Sequence, residues 1–186
     1  MNTPYLLKTD LVTPEEQEII LNELDTLELL PASETSSAES AKTGEYLKKN
    51  GGAWLKNLED YSTFKILAPI LGKYFDEFAD GHVLSGMIRQ SNKHQWLVSY
   101  YDDGDYYKSH IDSSAGSVVF WFYREPKRFT GGEFVFDDED INLGSLNNAV
   151  CYFSGMVIQH HVTEVSMEEQ YRNQRLGRYS INVFFT

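Results

Sequence analysis

The sequence has a single cysteine, Cys151, so no internal disulfide can form. Basic residues are few: 16 Lys and Arg stand against 28 Asp and Glu, giving a net charge of −12. A nucleic-acid partner needs a cationic footprint to neutralise phosphates, and that balance argues against one. No apolar run approaches the roughly 18 residues of a membrane span. Met1 to Thr13 lacks a basic segment followed by an apolar stretch, so no signal peptide is expected. The chain is expected to be cytoplasmic, without membrane or nucleic-acid partners.

Aromatic residues are abundant. The chain holds 12 Tyr and 11 Phe, crowded into the second half, and aromatics favour strands. A length of 186 residues suits one domain with a real core. Thr13-Pro14-Glu15-Glu16 opens a helix, with Thr13 as N-cap, Pro14 as first helical residue and Glu16 closing a capping box. Ile19, Ile20, Leu21, Leu24 and Leu27 follow at helical spacing, so this helix should end near Leu30-Pro31. The apolar residues Phe64, Ile66, Leu67, Ile70, Leu71, Tyr74 and Phe75, between Tyr61 and Phe78, carry the pattern of a second amphipathic helix. Between them, 32 to 43 is small and polar and reads as a mobile loop, and Gly51-Gly52 closes a second loose stretch.

After Gly81 the period shortens. Val83 to Arg89, Gln95 to Tyr101, Ser117 to Tyr123, Glu133 to Phe136, Ala149 to Phe153, His161 to Val165 and Tyr179 to Phe185 read as strands. Helices followed by short strands predict an α+β domain built on an antiparallel sandwich or barrel.

Within this frame His110-Ile111-Asp112 stands out. Residues two apart on a strand share a face, so imidazole and carboxylate can reach one metal while Ile111 points away. A third ligand from a distant strand would complete the set, and His160 is a candidate. Two His and one carboxylate leave three positions open on an Fe(II). In the last strand, Arg178, Ser180, Asn182 and Phe184 share one face. Tyr179, Ile181, Val183 and Phe185 share the other, greasy one, which should pack under the helices. The first face then looks into a cavity, where Arg178 needs an anionic partner, and its planar fork suits a carboxylate.

These segments resemble the prolyl 4-hydroxylase-like 2-oxoglutarate/Fe(II) dioxygenases. Tyr101-Asp-Asp-Gly-Asp-Tyr-Tyr-Lys-Ser-His110-Ile-Asp112 is similar to their Tyr-x-x-Gly-x-x-Tyr-x-x-His-x-Asp segment. Tyr123 to Phe136 resembles the Arg-Glu-Pro-Lys and Gly-Gly-Glu-Leu segment of bacterial members. His160-His-Val-Thr-Glu-Val165 resembles His-Glu-Val-x-Pro-Val, and Arg178 to Phe185 the closing Arg-Tyr strand. The likeness runs from about residue 96 to 186. Departures are His161 in place of Glu, Glu164 in place of Pro, and the polar insert Ser166 to Gly177. The Val-Thr-x-Val register favours His160 over its neighbour His161.

The resemblance implies a double-stranded β-helix, or jelly roll, buttressed by N-terminal helices. The whole chain, 1–186, would be one dioxygenase domain, with helical support and a lid loop in 1–80 and the catalytic core in 81–186. His110, Asp112 and His160 match the metal ligands, and Arg178 the residue gripping the C5 carboxylate of 2-oxoglutarate. Tyr101 matches a cavity tyrosine that helps bind the cosubstrate, and Tyr107 is a weaker match for the cavity wall. Fe(II), 2-oxoglutarate and O2 are implied, with ascorbate a candidate reductant. The implied reaction hydroxylates an unactivated C–H bond with release of succinate and CO2. A prolyl residue in a peptide or protein leads as substrate, and the stretch from Pro31 to Gly52 is expected to act as a lid over it. A free amino acid or other small molecule is the alternative, and a non-catalytic jelly-roll binding module is the alternative of another class. Asp112 fills the position that a halogenase would leave to halide.

Other features have plainer readings. His82 and His94 are expected to be structural or on the surface. Asp137-Asp138-Glu139-Asp140 is expected to be a solvated hairpin tip, and Cys151 a core filler. Trp96 and Trp121 lie in strands, and Trp121 either lines the cavity or packs the core.

Overall fold

A computed structural model describes residues 5–35, 43–137 and 141–186. The N-terminal part contains β1 (Tyr5–Thr9), α1 (Pro14–Asp25), α2 (Ala32–Thr35), β2 (Lys48–Lys49), β3 (Gly51–Trp54) and α3 (Ser62–Gly81). Next come β4 (His94–Tyr101), β5 (Tyr106–His110), β6 (Gly116–Phe122), β7 (Phe129–Thr130), β8 (Phe134–Phe136) and β9 (Ile141–Asn142). The chain closes with β10 (Ala149–Phe153), β11 (His160–Val162), β12 (Ser166–Met167) and β13 (Arg178–Phe185).

The strands build a six-stranded sheet in the order β1-β10-β6-β13-β4-β3 and a five-stranded sheet in the order β2-β5-β11-β8-β9. Every described pairing is antiparallel. This is the α+β, double-stranded β-helix architecture expected, with helices backing the larger sheet. Period-2 alternation divides its central strands cleanly. Trp96, Val98, Phe120, Phe122, Val150, Tyr152, Ile181 and Val183 meet Ile20, Leu24, Leu67 and Phe78 of α1 and α3 in one apolar cluster. Their neighbours Val119, Trp121, Cys151 and Phe153 face the smaller sheet, where Phe134, Phe136 and Val162 complete a second cluster. Burial at roughly 25 cal/mol per Å² of apolar surface drives both contacts.

The capping box of α1 forms as expected: Glu16 N donates to Thr13 Oγ1 at 3.2 Å, and Thr13 N to Glu16 Oε2 at 2.9 Å. The helix stops at Asp25, short of Leu30. Thr26 ends it by donating its hydroxyl to Glu23 O at 2.7 Å, and Leu30 bridges to Gly52. The Glu23 carboxylate caps α3, accepting from Ser62 N at 2.8 Å and Thr63 N at 2.7 Å.

Two expectations are corrected. Val83 to Arg89 is not a strand: Ser85–Gln90 is a 3-10 helix tied to α3 by the Arg89–Asp76 and Arg89–Asp80 ion pairs. Gly51-Gly52 is not loose: it forms β3, paired with β4 from Gly51↔Tyr100 to Trp54↔Leu97. The first 80 residues thus supply β1, β2 and β3 to the sheets as well as helices. Of the expected lid, residues 36–42 lie outside the described residues, while Ala32–Thr35 is a helical turn. No helix among the described residues is long and apolar enough to cross a membrane.

Candidate active site

β5 and β11 lie side by side with His160 directly opposite His110. Directly opposed residues of an antiparallel pair project their side chains to the same face. The two imidazole rings come within 4.3 Å between centroids. Asp112 follows two residues beyond the end of β5, and Ile111 between them is exposed at the rim of the same cavity. Asp112 Oδ1 sits 3.6 Å from His110 Nε2, and Oδ2 sits 3.8 Å from His160 Nε2. One ligand atom from each of the three lies within 4.8 Å of the others.

Each ring is held at its far nitrogen. His110 Nδ1 donates to Lys108 O at 2.8 Å, and His160 Nδ1 to Ile158 O at 2.9 Å. These bonds fix the tautomer that leaves both Nε2 lone pairs facing the shared centre, as ligating histidines require. Burial pulls His160 down to about 4, so it is neutral and ready to ligate. Phe153 and Phe134 wall it off, and Tyr107 stacks on His110 at 3.6 Å.

Asp112 is seated by residues from other elements. Burial pushes its carboxyl up, but His110, His160 and the Ser117 hydroxyl together hold it below the usual carboxylate range. Asp112 N donates to Gly155 O at 2.9 Å, and Ser114 and Ser117 share a hydrogen bond beneath. Gly155 is needed there, because a Cβ would stand 2.2 Å from Ser117 Oγ and 2.9 Å from Asp112 Cβ. Gly155→Ala is therefore expected to cost about 1–3 kcal/mol of stability. It should also weaken Fe(II) binding by roughly 10- to 100-fold through the displaced carboxylate. Urea denaturation and anaerobic Fe(II) titration check both, and unchanged metal affinity would remove Gly155 from the site.

Arg178 opens β13 opposite Tyr101 of β4 and is fully buried. Among the described residues, none of its three guanidinium nitrogens has a hydrogen-bond partner. Burial lowers it only to about 10, so it stays charged at neutral pH. The rings of Tyr101 and Trp121 lie 5.4 and 5.7 Å from Cζ. Such ring contacts temper an isolated charge but leave its five N–H donors unused. Burial pushes the Tyr101 phenol up to about 12, so it is a neutral donor beside the guanidinium. Arg178 and the His110–Asp112–His160 cluster line one cavity of about 500 Å³, shared with Ser99, Ser180 and Asn182.

The cluster has the donor set of a two-histidine, one-carboxylate Fe(II) centre, and the orphaned guanidinium suits a dicarboxylate cosubstrate. Residues 96–186 match the family described as the 2OG-Fe(II) oxygenase superfamily. This part of the chain belongs to that superfamily. Its chemistry uses Fe(II), 2-oxoglutarate and O2. Among solved structures, the oxygenase is similar to a prolyl-4-hydroxylase of Pseudomonas putida, at 14% identity and a TM-score of 0.62, covering 99% of this chain and 92% of that one. A viral collagen prolyl hydroxylase from Paramecium Bursaria Chlorella virus-1, in a 2OG complex, matches at 10% identity and a TM-score of 0.63, over 98% and 96% of the two chains. A prolyl hydroxylase from Trichoplax adhaerens, solved with a hypoxia inducible factor peptide fragment, matches at 12% identity and a TM-score of 0.65, over 99% and 84%. At these identities the likeness is one of fold. No curated protein matches the chain.

The remaining candidates of the oxygenase sort by geometry. Tyr101, Tyr107 and Trp121 all line the cavity. His161 turns to the opposite face of β11 and bonds Asp137, so Asp137 is a tether and not part of a free hairpin tip. The rest of that acidic run, 138–140, lies outside the described residues. His94 accepts from Trp96 Nε1 at 3.0 Å, and His82 accepts from Leu84 N at 3.1 Å. Cys151 is fully buried and burial pushes its thiol far up, which suits a core residue. Sequence reasoning missed Ser114, Ser117 and Gly155, because the Asp112 seat joins residues scattered along the chain. It also missed Lys48, a buried cation of the cavity wall.

Proposed function

We propose that the chain is a 2-oxoglutarate-dependent hydroxylase acting on a prolyl residue of a peptide or protein. The observation that carries the cosubstrate reading is Arg178, charged, fully buried and unpartnered in the same cavity as the three candidate ligands. His110, Asp112 and His160 would hold Fe(II) through two Nε2 atoms and one carboxylate oxygen. Arg178 and the Tyr101 hydroxyl would bind the far carboxylate of 2-oxoglutarate and so aim its keto-acid end at the histidines. Once bound, iron and 2-oxoglutarate supply the oxidising chemistry, with succinate, CO2 and a hydroxylated substrate carbon as products. The protein's part is orientation and dryness: Phe134, Phe153 and Trp121 keep water from the reacting centre. Support for the prolyl substrate comes from three of the fold neighbours, which are prolyl hydroxylases, one of them holding a peptide.

The test adds Fe(II), 2-oxoglutarate and a panel of proline-containing peptides under air. Succinate formation coupled to the gain of one oxygen atom on proline, read by mass spectrometry, is expected. Hydroxylated free amino acids with untouched peptides would transfer the assignment to small molecules. Failure of the protein to bind 2-oxoglutarate in the presence of Fe(II) would leave the jelly-roll binding module.

A further inference from the structure

Lys48 is the second cation of the cavity, and the cosubstrate does not explain it. β2 pairs with β5 so that Lys48 stands opposite Tyr107, whose ring stacks on His110. Alternation turns Lys49 outward, where its Nζ donates to Gly104 O at 3.1 Å. Lys48 turns inward and is only 4% exposed. Its Nζ lies 5.9 Å from the centroid of the Tyr107 ring, the same ring that stacks on His110.

The ammonium is poorly matched where it stands. It donates to Thr35 O at 3.1 Å, and among the described residues it makes no ion pair. An ammonium has three donors, and burying it without a counter-charge is expensive. Burial pulls Lys48 down to about 8. A purely structural peg for Thr35 would need only a neutral donor. Charge balance points the same way. Among the described residues, the charges on the wall that are buried or nearly so are Asp112, Arg178 and Lys48, since Glu34 at the rim is exposed. A divalent ion with a doubly charged 2-oxoglutarate cancels itself, and Asp112 offsets Arg178. One positive charge remains, on Lys48.

We propose that Lys48 is a specificity-determining residue that binds a carboxylate of the substrate, so the substrate presents an anion beside the carbon to be hydroxylated. The inference rests on reading the cavity as a 2-oxoglutarate oxygenase site. It narrows the substrate: an internal prolyl residue flanked by neutral side chains leaves Lys48 unmatched. A free imino acid, a C-terminal proline or a proline next to Asp or Glu would match it.

The test uses full-length protein loaded with Mn(II) and 2-oxoglutarate, reading tryptophan fluorescence, because Trp54 and Trp121 line the cavity. The probes are acid and amide pairs: L-proline and L-prolinamide, an acetylated peptide ending in proline as free acid and as amide, and an internal Pro-Glu peptide and its Pro-Gln twin. At least one acid is expected to bind ten-fold or more tightly than its amide, and which pair does so identifies the source of the carboxylate. Lys48→Met should abolish that preference, and Lys48→Arg should retain it. Mn(II) and 2-oxoglutarate affinities, measured in the same samples, should stay within about two-fold in both variants. The proposal is overturned by amides binding as well as acids, by an acid preference that survives in Lys48→Met, or by no acid binding at 10 mM. A wild-type protein that fails to bind Mn(II) and 2-oxoglutarate fails the oxygenase reading instead. A Lys48→Met variant that loses 2-oxoglutarate in place of the acid probe assigns Lys48 to the cosubstrate and removes it from specificity.

Discussion

His160→Ala is expected to abolish stoichiometric Fe(II) binding, while His161→Ala should leave it intact. The two residues are neighbours of one type on one short strand, so composition cannot separate them. The pleat of β11 does. His160 is buried opposite His110, whereas His161 faces outward and pairs with Asp137. Removing His160 takes away one of three candidate ligands and leaves an aromatic-walled hole that water fills poorly. His110→Ala should fail equally. Removing His161 takes one partner from Asp137, which keeps its bond from the Ser109 hydroxyl, away from the cluster. Anaerobic Fe(II) titration with metal analysis after desalting measures all three variants. Retention of metal by His160→Ala with loss in His161→Ala would mean that β11 is read one residue out of register, which flips every side chain to the other face.

That register was legible in the sequence because the strands around it alternate strongly. β13 reads Arg, Ser, Asn, Phe on one side and Tyr, Ile, Val, Phe on the other, and the structure divides them so. The His-x-Asp argument reached the right juxtaposition by a partly different route. β5 ends at His110, so Asp112 is not on the strand; its backbone leaves the ladder to bond Gly155 O. The carboxylate still comes within 3.6 Å of His110 Nε2 and 3.8 Å of His160 Nε2. β2 and β3 were not legible. Their residues, Lys48-Lys49 and Gly51-Gly52-Ala53-Trp54, have little intrinsic strand preference apart from Trp54. They are strands because β4 and β5 offer unpaired edges, and because Leu29 and Thr35 sit against glycines that lack a Cβ. Lys48 was invisible for the same reason. A lysine in a polar stretch reads as solvated until long-range pairing carries it inside.

The same distinction between local pattern and cavity chemistry bears on Arg178, whose replacement should move two quantities in opposite directions. Without cosubstrate, Arg178 is a desolvated charge with no hydrogen-bond partner among the described residues. Removing an unpaired buried charge relieves a penalty, so Arg178→Met is expected to leave the apo protein at least as stable as the parent. With cosubstrate, the guanidinium gains a carboxylate across a planar fork, in a pocket walled by Tyr101 and Trp121. Loss of a hydrogen bond to a charged group costs roughly 1.5–3 kcal/mol. That corresponds to about one to two orders of magnitude in 2-oxoglutarate affinity. Fe(II) affinity should hardly change, because the three candidate ligands are positioned by β5, β11 and the Gly155 turn and not by β13. Arg178→Lys keeps the charge but not the fork and should fall between. Thermal unfolding with and without 2-oxoglutarate and Mn(II) reads both effects in one experiment. In the parent, cosubstrate at about a hundred times its Kd stabilises by roughly 2.7 kcal/mol, and in Arg178→Met most of that increment should vanish. Cosubstrate affinity that survives in Arg178→Met would place the C5 carboxylate elsewhere in the cavity, and Lys48 is the other buried cation available to hold it.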